Sequence, residues 1–178
     1  MRWLIVGFGA IGQAVAERAR GFGAEVTGVR RSGGGHPLAD HMGTLSEVKS
    51  SLADVDVVVL AAPLNDATRG LAGEGFFAAM KPGSMLVNVG RGDLVDEAAL
   101  LAALERGAPE FAALDVFHDE PLPADSPFWD HPRVALSPHA SSFGDGQAAR
   151  NDAISIENLR RRLTGDPLLY EADPRDLC

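Results

Sequence analysis

The sequence predicts one α/β domain built on a doubly wound parallel sheet, and three observations carry that prediction. Six short apolar runs recur along the chain, at residues 3–6, 26–29, 55–61, 85–89, 111–114 and 134–136. Segments of helical period lie between them, the alternation that stacked strand–helix–strand units produce. Most of the runs lack polar alternation, as strands covered on both faces do. The length of 178 residues fits a single domain.

The first run, Trp3-Leu4-Ile5-Val6, leads into Gly7-Phe8-Gly9-Ala10-Ile11-Gly12, a G-x-G-x-x-G loop placed between a strand and a helix. There Gly7 permits a tight turn, Gly9 lets the backbone approach a pyrophosphate, and Gly12 lets helix and strand pack closely. Phosphate then sits at the helix N-terminus. Glycine is common here, at 20 residues, so the loop alone could be a bland turn; its placement makes the domain Rossmann-type and dinucleotide-binding. Ile11, Val15, Ala19 and Phe22 repeat at helical spacing behind it.

At the end of the second run, where an acidic residue would accept from the adenosine ribose hydroxyls, the chain reads Val29-Arg30-Arg31-Ser32. Two guanidinium groups and a hydroxyl suit a 2'-phosphate, and no carboxylate is placed to repel it. NADP is therefore the preferred cofactor, with NAD possible; the bland alternative is a pair of solvated turn arginines. Asp40 lies too far along to replace the missing acid. Residues 31–41, with Ser32-Gly33-Gly34-Gly35 and Pro37, read as a loop, as do residues 118–132 with their four prolines.

Farther on, Asp96 is placed to cap a helix that carries Leu100, Leu101 and Leu104 and stops at Gly107. Near the end, Ala149, Ala153, Ile156, Leu159 and Leu163 form an apolar stripe ended by Gly165 and Pro167. Arg160, Arg161 and Arg162 lie in its last turns, where the helix dipole favours cations. That helix is expected to dock.

Composition excludes several classes. Acids outnumber bases 25 to 16, a net charge of -9, so nucleic acid is a poor partner. The one cysteine, Cys178, can form no internal disulfide, which suits a reducing cytoplasm and excludes a cysteine-rich metal site. No apolar run approaches the roughly 18 residues that span a bilayer, so no membrane partner is expected. His36, His41, His118 and His131 lack the close spacing of zinc ligands, and no metal is expected.

Three further segments carry a resemblance. They are Val87-Asn88-Val89-Gly90-Arg91-Gly92-Asp93-Leu94-Val95-Asp96-Glu97, then Leu114-Asp115-Val116-Phe117-His118-Asp119-Glu120-Pro121-Leu122-Pro123, then Ser137-Pro138-His139-Ala140. With the glycine loop and Ala62-Pro63-Leu64-Asn65-Asp66-Ala67-Thr68, they resemble the D-isomer-specific 2-hydroxyacid dehydrogenase family over residues 3–163, in the right order. That family includes glyoxylate and hydroxypyruvate reductases. Arg91 and Glu120 stand 29 residues apart, and Glu120 and His139 stand 19 apart, spacings like those of the family's arginine, acid and histidine.

The resemblance implies that Arg91, Glu120 and His139 are catalytic. Reducing a 2-keto acid needs a fixed cation near carboxylate and carbonyl oxygens and a proton donor for the developing alkoxide. Glu120, hydrogen-bonded to the other imidazole nitrogen, would orient the ring and favour its charged form. The resemblance also implies hydride transfer from the nicotinamide to the keto carbon, giving a D-2-hydroxy acid. It gives Asp115 to the nicotinamide carboxamide. It further implies that Ala62, Pro63, Thr68, Val89 and Gly90 line the cofactor, with Arg91, His139 and the loop residues Ala10 and Ile11.

Family members carry a further stretch before the glycine loop that builds most of a domain closing over substrate, and this sequence begins without it. The expected organisation is a cofactor domain over 1–142 and, over 143–178, a helix and tail that would return to the absent domain. Asp173-Pro174-Arg175-Asp176 looks like a natural family ending. Family enzymes pair through their cofactor domains, so a homodimer is expected. Two readings of other classes stay open: a non-catalytic sensor of reduced nucleotide, and an interaction module resembling the C-terminal-binding corepressors of the same fold.

Overall fold

A computed structural model describes residues 1–171, so Cys178 and the 173–176 tail lie outside the described residues. Seven strands, β1 (Arg2–Val6), β2 (Glu25–Val29), β3 (His41–Gly43), β4 (Val57–Leu60), β5 (Met85–Asn88), β6 (Phe111–Leu114) and β7 (Val134–Leu136), form one sheet. Every pairing is parallel and the order is β3-β2-β1-β4-β5-β6-β7. The helices are α1 (Ala10–Gly21), α2 (Val48–Ser51), α3 (Glu74–Phe77), α4 (Glu97–Arg106) and α5 (Gln147–Thr164). This is the doubly wound α/β fold that the apolar runs predict.

Six strands fall on those runs. The seventh, β3, begins at His41, the last residue of a stretch read as loop. His41-Met42-Gly43 is no apolar run, and the strand exists because it pairs with Thr27, Gly28 and Val29. The helices α2 and α3, four residues each, are too short to show a period.

Alternate residues of the central strands feed two cores. Leu4, Val6, Val58 and Leu60 pack on one face with Phe76, Phe77, Leu100 and Leu104, while Ile5, Val57 and Val59 pack on the other with Ala16 and Ala19 of α1. Both faces of β1 and β4 are therefore apolar, which removes the polar alternation. At the sheet edge β7 departs from this: Ala135 is exposed, and Val134 and Leu136 are only half-buried.

The face of α1 differs from the one its spacing predicts. Its buried residues are Gly12, Ala16 and Ala19, whereas Ile11 and Phe22 are 56% and 88% exposed. Gly12 must face inward: a Cβ there would stand 2.2 Å from the Gly7 carbonyl oxygen. That rotation turns Ile11 outward. The signals of α4 hold, since the Asp96 side chain accepts from the Ala99 amide at 3.0 Å and Gly107 ends the helix in the left-handed conformation.

Docking of the last helix is not met within the described chain. No residue of α5 is buried, and Ile156, Leu159 and Leu163 are 66%, 67% and 88% exposed. The stripe is real as a pattern but finds no partner surface among the described residues. No described helix is long and apolar enough to cross a membrane.

The strand order reverses between β1 and β4, and the crevice beyond their carboxyl ends is where open α/β sheets bind ligands. The candidate residues predicted from the sequence lie at that edge of the sheet, in the loops that leave it or, for Ala10, Ile11 and Gly12, in the first turn of α1.

Candidate active site

A cleft of about 700 Å³ opens at this reversal point. Its lining includes Gly7, Gly9, Arg30, Arg31, Ser32, Ala62, Pro63 and Thr68, as the sequence predicts, together with Phe8, Val29, Leu45, Asn65 and Ala67. Leu45 could not be read from sequence because it follows the unpredicted β3. Ala10, Ile11, Gly12, Val89, Gly90, Arg91, Asp115 and His139 lie outside the lining.

The glycine loop takes the form that pyrophosphate binding needs. Gly7 has φ 96°, open to glycine at little cost, and both its amide and that of Phe8 donate to the Val29 carbonyl at 3.0 and 2.9 Å. A Cβ on Gly7 would stand 2.3 Å from the Ala62 amide nitrogen, so the β1 and β4 loops touch here. A Cβ on Gly9 would meet no protein atom within 4 Å. Gly9 caps α1, so an approaching phosphate finds bare backbone at a 12-residue helix N-terminus with no acid in its first turn. The chain's own residues fit a dinucleotide.

At the adenosine end, Arg30 folds over its own turn, its Nε donating to Gly33 O at 2.5 Å and its Nη2 to Gly34 O at 3.3 Å. That shapes the rim on which Arg31 and Ser32 stand. Asp40 is occupied elsewhere, accepting from the Val26 amide and the Arg20 guanidinium, both at 2.8 Å. In the β4 loop the Thr68 hydroxyl donates to Pro63 O at 2.7 Å and accepts from the Asn65 amide at 2.9 Å, closing the turn.

Two of the predicted chemical residues meet. His139 Nδ1 lies 2.7 Å from Glu120 Oε2, and Glu120 Oε1 accepts from the Phe117 amide at 3.0 Å. Burial pushes the Glu120 carboxyl up, but the His139 hydrogen bond, the Phe117 amide and the charges of His139 and Arg91 outweigh it and hold it below the usual carboxylate value. Arg91 is exposed and donates to Gly90 O at 2.7 Å. Its turn is held from within by Asn88, whose amide donates to Arg91 O at 3.0 Å and accepts from Gly90 N–H at 3.1 Å. Asn88 is buried, and its part was not read from sequence.

His139 has φ 51°, a left-handed conformation uncommon for a residue with a side chain. Such strain costs on the order of 1–3 kcal/mol and clusters where a side chain must be aimed. The loop around it is held by Asp115. The His139 amide donates to the Asp115 carbonyl at 2.8 Å, and the Asp115 carboxylate accepts from the Ser137 hydroxyl and the Ala140 and Ser141 amides. Burial raises the Asp115 carboxyl, yet these donors outweigh it and leave it lowered. The resemblance gives Asp115 to the carboxamide; in the folded chain its carboxylate holds the His139 loop.

The family model of the D-isomer specific 2-hydroxyacid dehydrogenase NAD-binding domain matches residues 1–141. The chain belongs to this family. It is 39% identical over 166 residues to the glyoxylate/hydroxypyruvate reductase B of Klebsiella pneumoniae, covering 91% of this chain and 50% of that protein. It thus spans about half the length of the curated relatives it matches. A family structure from Xanthobacter autotrophicus, solved with NADPH and MES, superposes with TM-score 0.88 at 36% identity, over 98% of this chain and 72% of that one. An NADPH-dependent glyoxylate/hydroxypyruvate reductase from Sinorhizobium meliloti, solved with NADP and sulfate, gives 0.87 at 29%, over 97% and 55%. The matched residues 1–141 include the glycine loop, Arg91 and the Glu120–His139 pair.

Proposed function

We propose that this chain carries the cofactor-binding and acid–base part of an NADP-preferring 2-keto acid reductase, acting on a small substrate such as glyoxylate or hydroxypyruvate. The observation that carries the reading is the 2.7 Å His139–Glu120 pair, with His139 held in a strained conformation, in the same chain as a glycine loop that lines a cleft at the sheet's reversal point. The relatives' names support the substrate class. Residues 1–142 form the cofactor domain in this reading, and the helix and tail beyond return to a substrate-closing part.

The α1 N-terminus and Gly9 hold the pyrophosphate, and Arg30, Arg31 and Ser32 hold the 2'-phosphate. Bound NADPH supplies a hydride to the keto carbon. The guanidinium of Arg91 holds the substrate's carboxylate and carbonyl oxygens, a cation already in place as charge develops. His139, with Nδ1 given to Glu120, delivers a proton from Nε2 to the forming hydroxyl. Glu120 fixes the ring through this hydrogen bond.

Steady-state reduction of glyoxylate and hydroxypyruvate by NADPH, with the chain joined to or mixed with a substrate-closing part from a relative, tests the reading. Turnover above background supports it; tight NADPH binding with no oxidation by either acid identifies a binding module instead.

NADPH should bind more tightly than NADH. Replacing Arg30 and Arg31 by alanine should weaken NADPH by about 1.5–3 kcal/mol per lost charged hydrogen bond, leaving NADH nearly unchanged. Arg31→Ala alone is the cleaner variant, because Arg30 also ties its own turn. Fluorescence titration checks this, and equal affinities for the two cofactors would end the NADP assignment.

Assembly is part of the proposal. The uncovered stripe of α5 and the exposed Met1, at 74%, leave apolar surface that a second copy would cover. Sedimentation velocity should show a dimer at micromolar concentration; a monomer throughout would remove homodimer formation from the reading.

A further inference from the structure

One side chain outside the catalytic cluster joins three loops, those that carry Thr68, Arg91 and Glu120. Asp93 follows Arg91 by two residues, and its carboxylate accepts from the Arg69 guanidinium on one oxygen and from His118 Nδ1 on the other. Arg69 comes directly after the cleft-lining Thr68, and His118 lies two residues before Glu120. The backbone runs along the same lines. The Gly70 amide donates to Asp93 O at 2.8 Å, and the His118 amide donates to Glu97 Oε1 on α4 at 2.8 Å. Either arm alone would be a weak surface pair, since the Arg69 and His118 side chains are 59% and 65% exposed. Two donors from separate loops meeting on one carboxylate that is itself 24% exposed fix the spacing of those loops.

We propose that Asp93 is a positioning residue: its carboxylate clamps the Arg69 loop and the His118 loop to the Arg91 turn, and so sets the distance between Arg91 and the Glu120–His139 pair. For catalysis this rests on the reductase reading above; as a clamp it stands on the geometry alone. One arm titrates. His118 faces Asp93, with Asp119 beside it and Glu97 behind it, and Arg69 shares the Asp93 carboxylate. The Asp93 hydrogen bond and charge, with the charges of Asp119 and Glu97, push His118 above the usual histidine value against a small burial effect. A raised histidine contributes in full below its ordinary value and loses its contribution as pH rises through the raised one. The Arg69 arm persists throughout.

Amide hydrogen exchange on the full chain tests the clamp without requiring turnover. Asp93→Asn keeps the shape and removes the charge. Its exchange at the Phe117 and His118 amides should be about tenfold faster than in the parent at pH 6, with the ratio shrinking by pH 8.5. His118→Gln, a change at an exposed side chain, should give the same pattern, and the two effects should not add in the double variant. In turnover, Asp93→Asn should lower kcat for glyoxylate about tenfold with NADPH affinity unchanged. Unchanged exchange at both amides in folded Asp93→Asn and His118→Gln proteins overturns the clamp. A ratio equal at pH 6 and 8.5 overturns the titrating arm. A parent chain that turns over no substrate even when joined to the substrate-closing part, yet shows the exchange effect, sinks the reductase reading and supports the clamp. If Asp93→Asn does not fold, His118→Gln alone decides.

Discussion

Replacing His139 with alanine, in the chain joined to or mixed with a substrate-closing part, should slow NADPH-dependent glyoxylate reduction by about a hundred- to ten-thousand-fold, the range for losing a positioned general acid. The loss should fall in kcat, because the proton is delivered as the transition state forms, and NADPH affinity should change little. His139→Asn should lose as much while tolerating the left-handed backbone at φ 51°, which separates lost chemistry from a disturbed loop. The pH profile carries a second expectation. A general acid must carry its proton, so the rate should fall as pH rises. The His139 hydrogen bond, the Phe117 amide and the charges of His139 and Arg91 hold Glu120 below the usual carboxylate value against burial. Glu120→Gln removes the anion that orients the His139 ring, so kcat should fall. On the acid side the sign is opposite. A depressed carboxyl contributes stability above its unfolded value and loses it as pH falls through the folded one, so the pair's contribution to stability should fade in acid. Steady-state rates across pH 5 to 9 with parent, His139→Ala, His139→Asn and Glu120→Gln proteins check these expectations. Near-normal turnover by either His139 variant would remove it as proton donor.

Local signals made much of this molecule legible. Six strands, the glycine loop, the Asp96 cap and the Gly107 stop each depend on a few consecutive residues, and each stands where its residues place it. The pairing of Glu120 with His139 was legible through the family resemblance, and the structure brings the two to hydrogen-bond distance. What stayed hidden depends on partners far along the chain. Residues 41–43 become a strand only because β2 lies beside them. Asp115 meets Ser137, Ala140 and Ser141 across 22 to 26 residues, and Asp93 meets Arg69 and His118 across 24 and 25, separations that carry no periodic signature. The stripe of α5 shows the converse: an amphipathic pattern says that a helix has an apolar face and nothing of what covers it.

Gly92→Ala should be the most damaging single methyl group that can be added near the site. A Cβ at Gly92 would stand 1.9 Å from the Phe117 carbonyl carbon, 2.0 Å from its oxygen and 2.4 Å from the His118 nitrogen, all backbone atoms that cannot rotate away. Gly92 is buried and its φ is not left-handed, so the demand is for space rather than conformation. Relieving the overlap means moving the loop that carries Arg91 away from the loop that carries Glu120. Overpacking of this kind costs roughly 1–3 kcal/mol, and more where backbone must shift. A displacement of about 1 Å between groups that must act together can cost a further hundredfold in rate. The variant should therefore melt several degrees lower and lose kcat, while NADPH affinity holds, because the cleft is lined by the β1, β2 and β4 loops and not by Gly92. Gly90→Ala supplies a graded comparison: its nearest neighbour would be the Leu94 side chain at 2.7 Å, which can partly yield, although the Ala62 carbonyl oxygen at 2.9 Å cannot. Thermal melts, fluorescence titration with NADPH and steady-state kinetics on the two variants separate these effects. A Gly92→Ala protein with parental melting temperature and parental kcat would show that the contact between these two loops does not hold Arg91 and Glu120 in place.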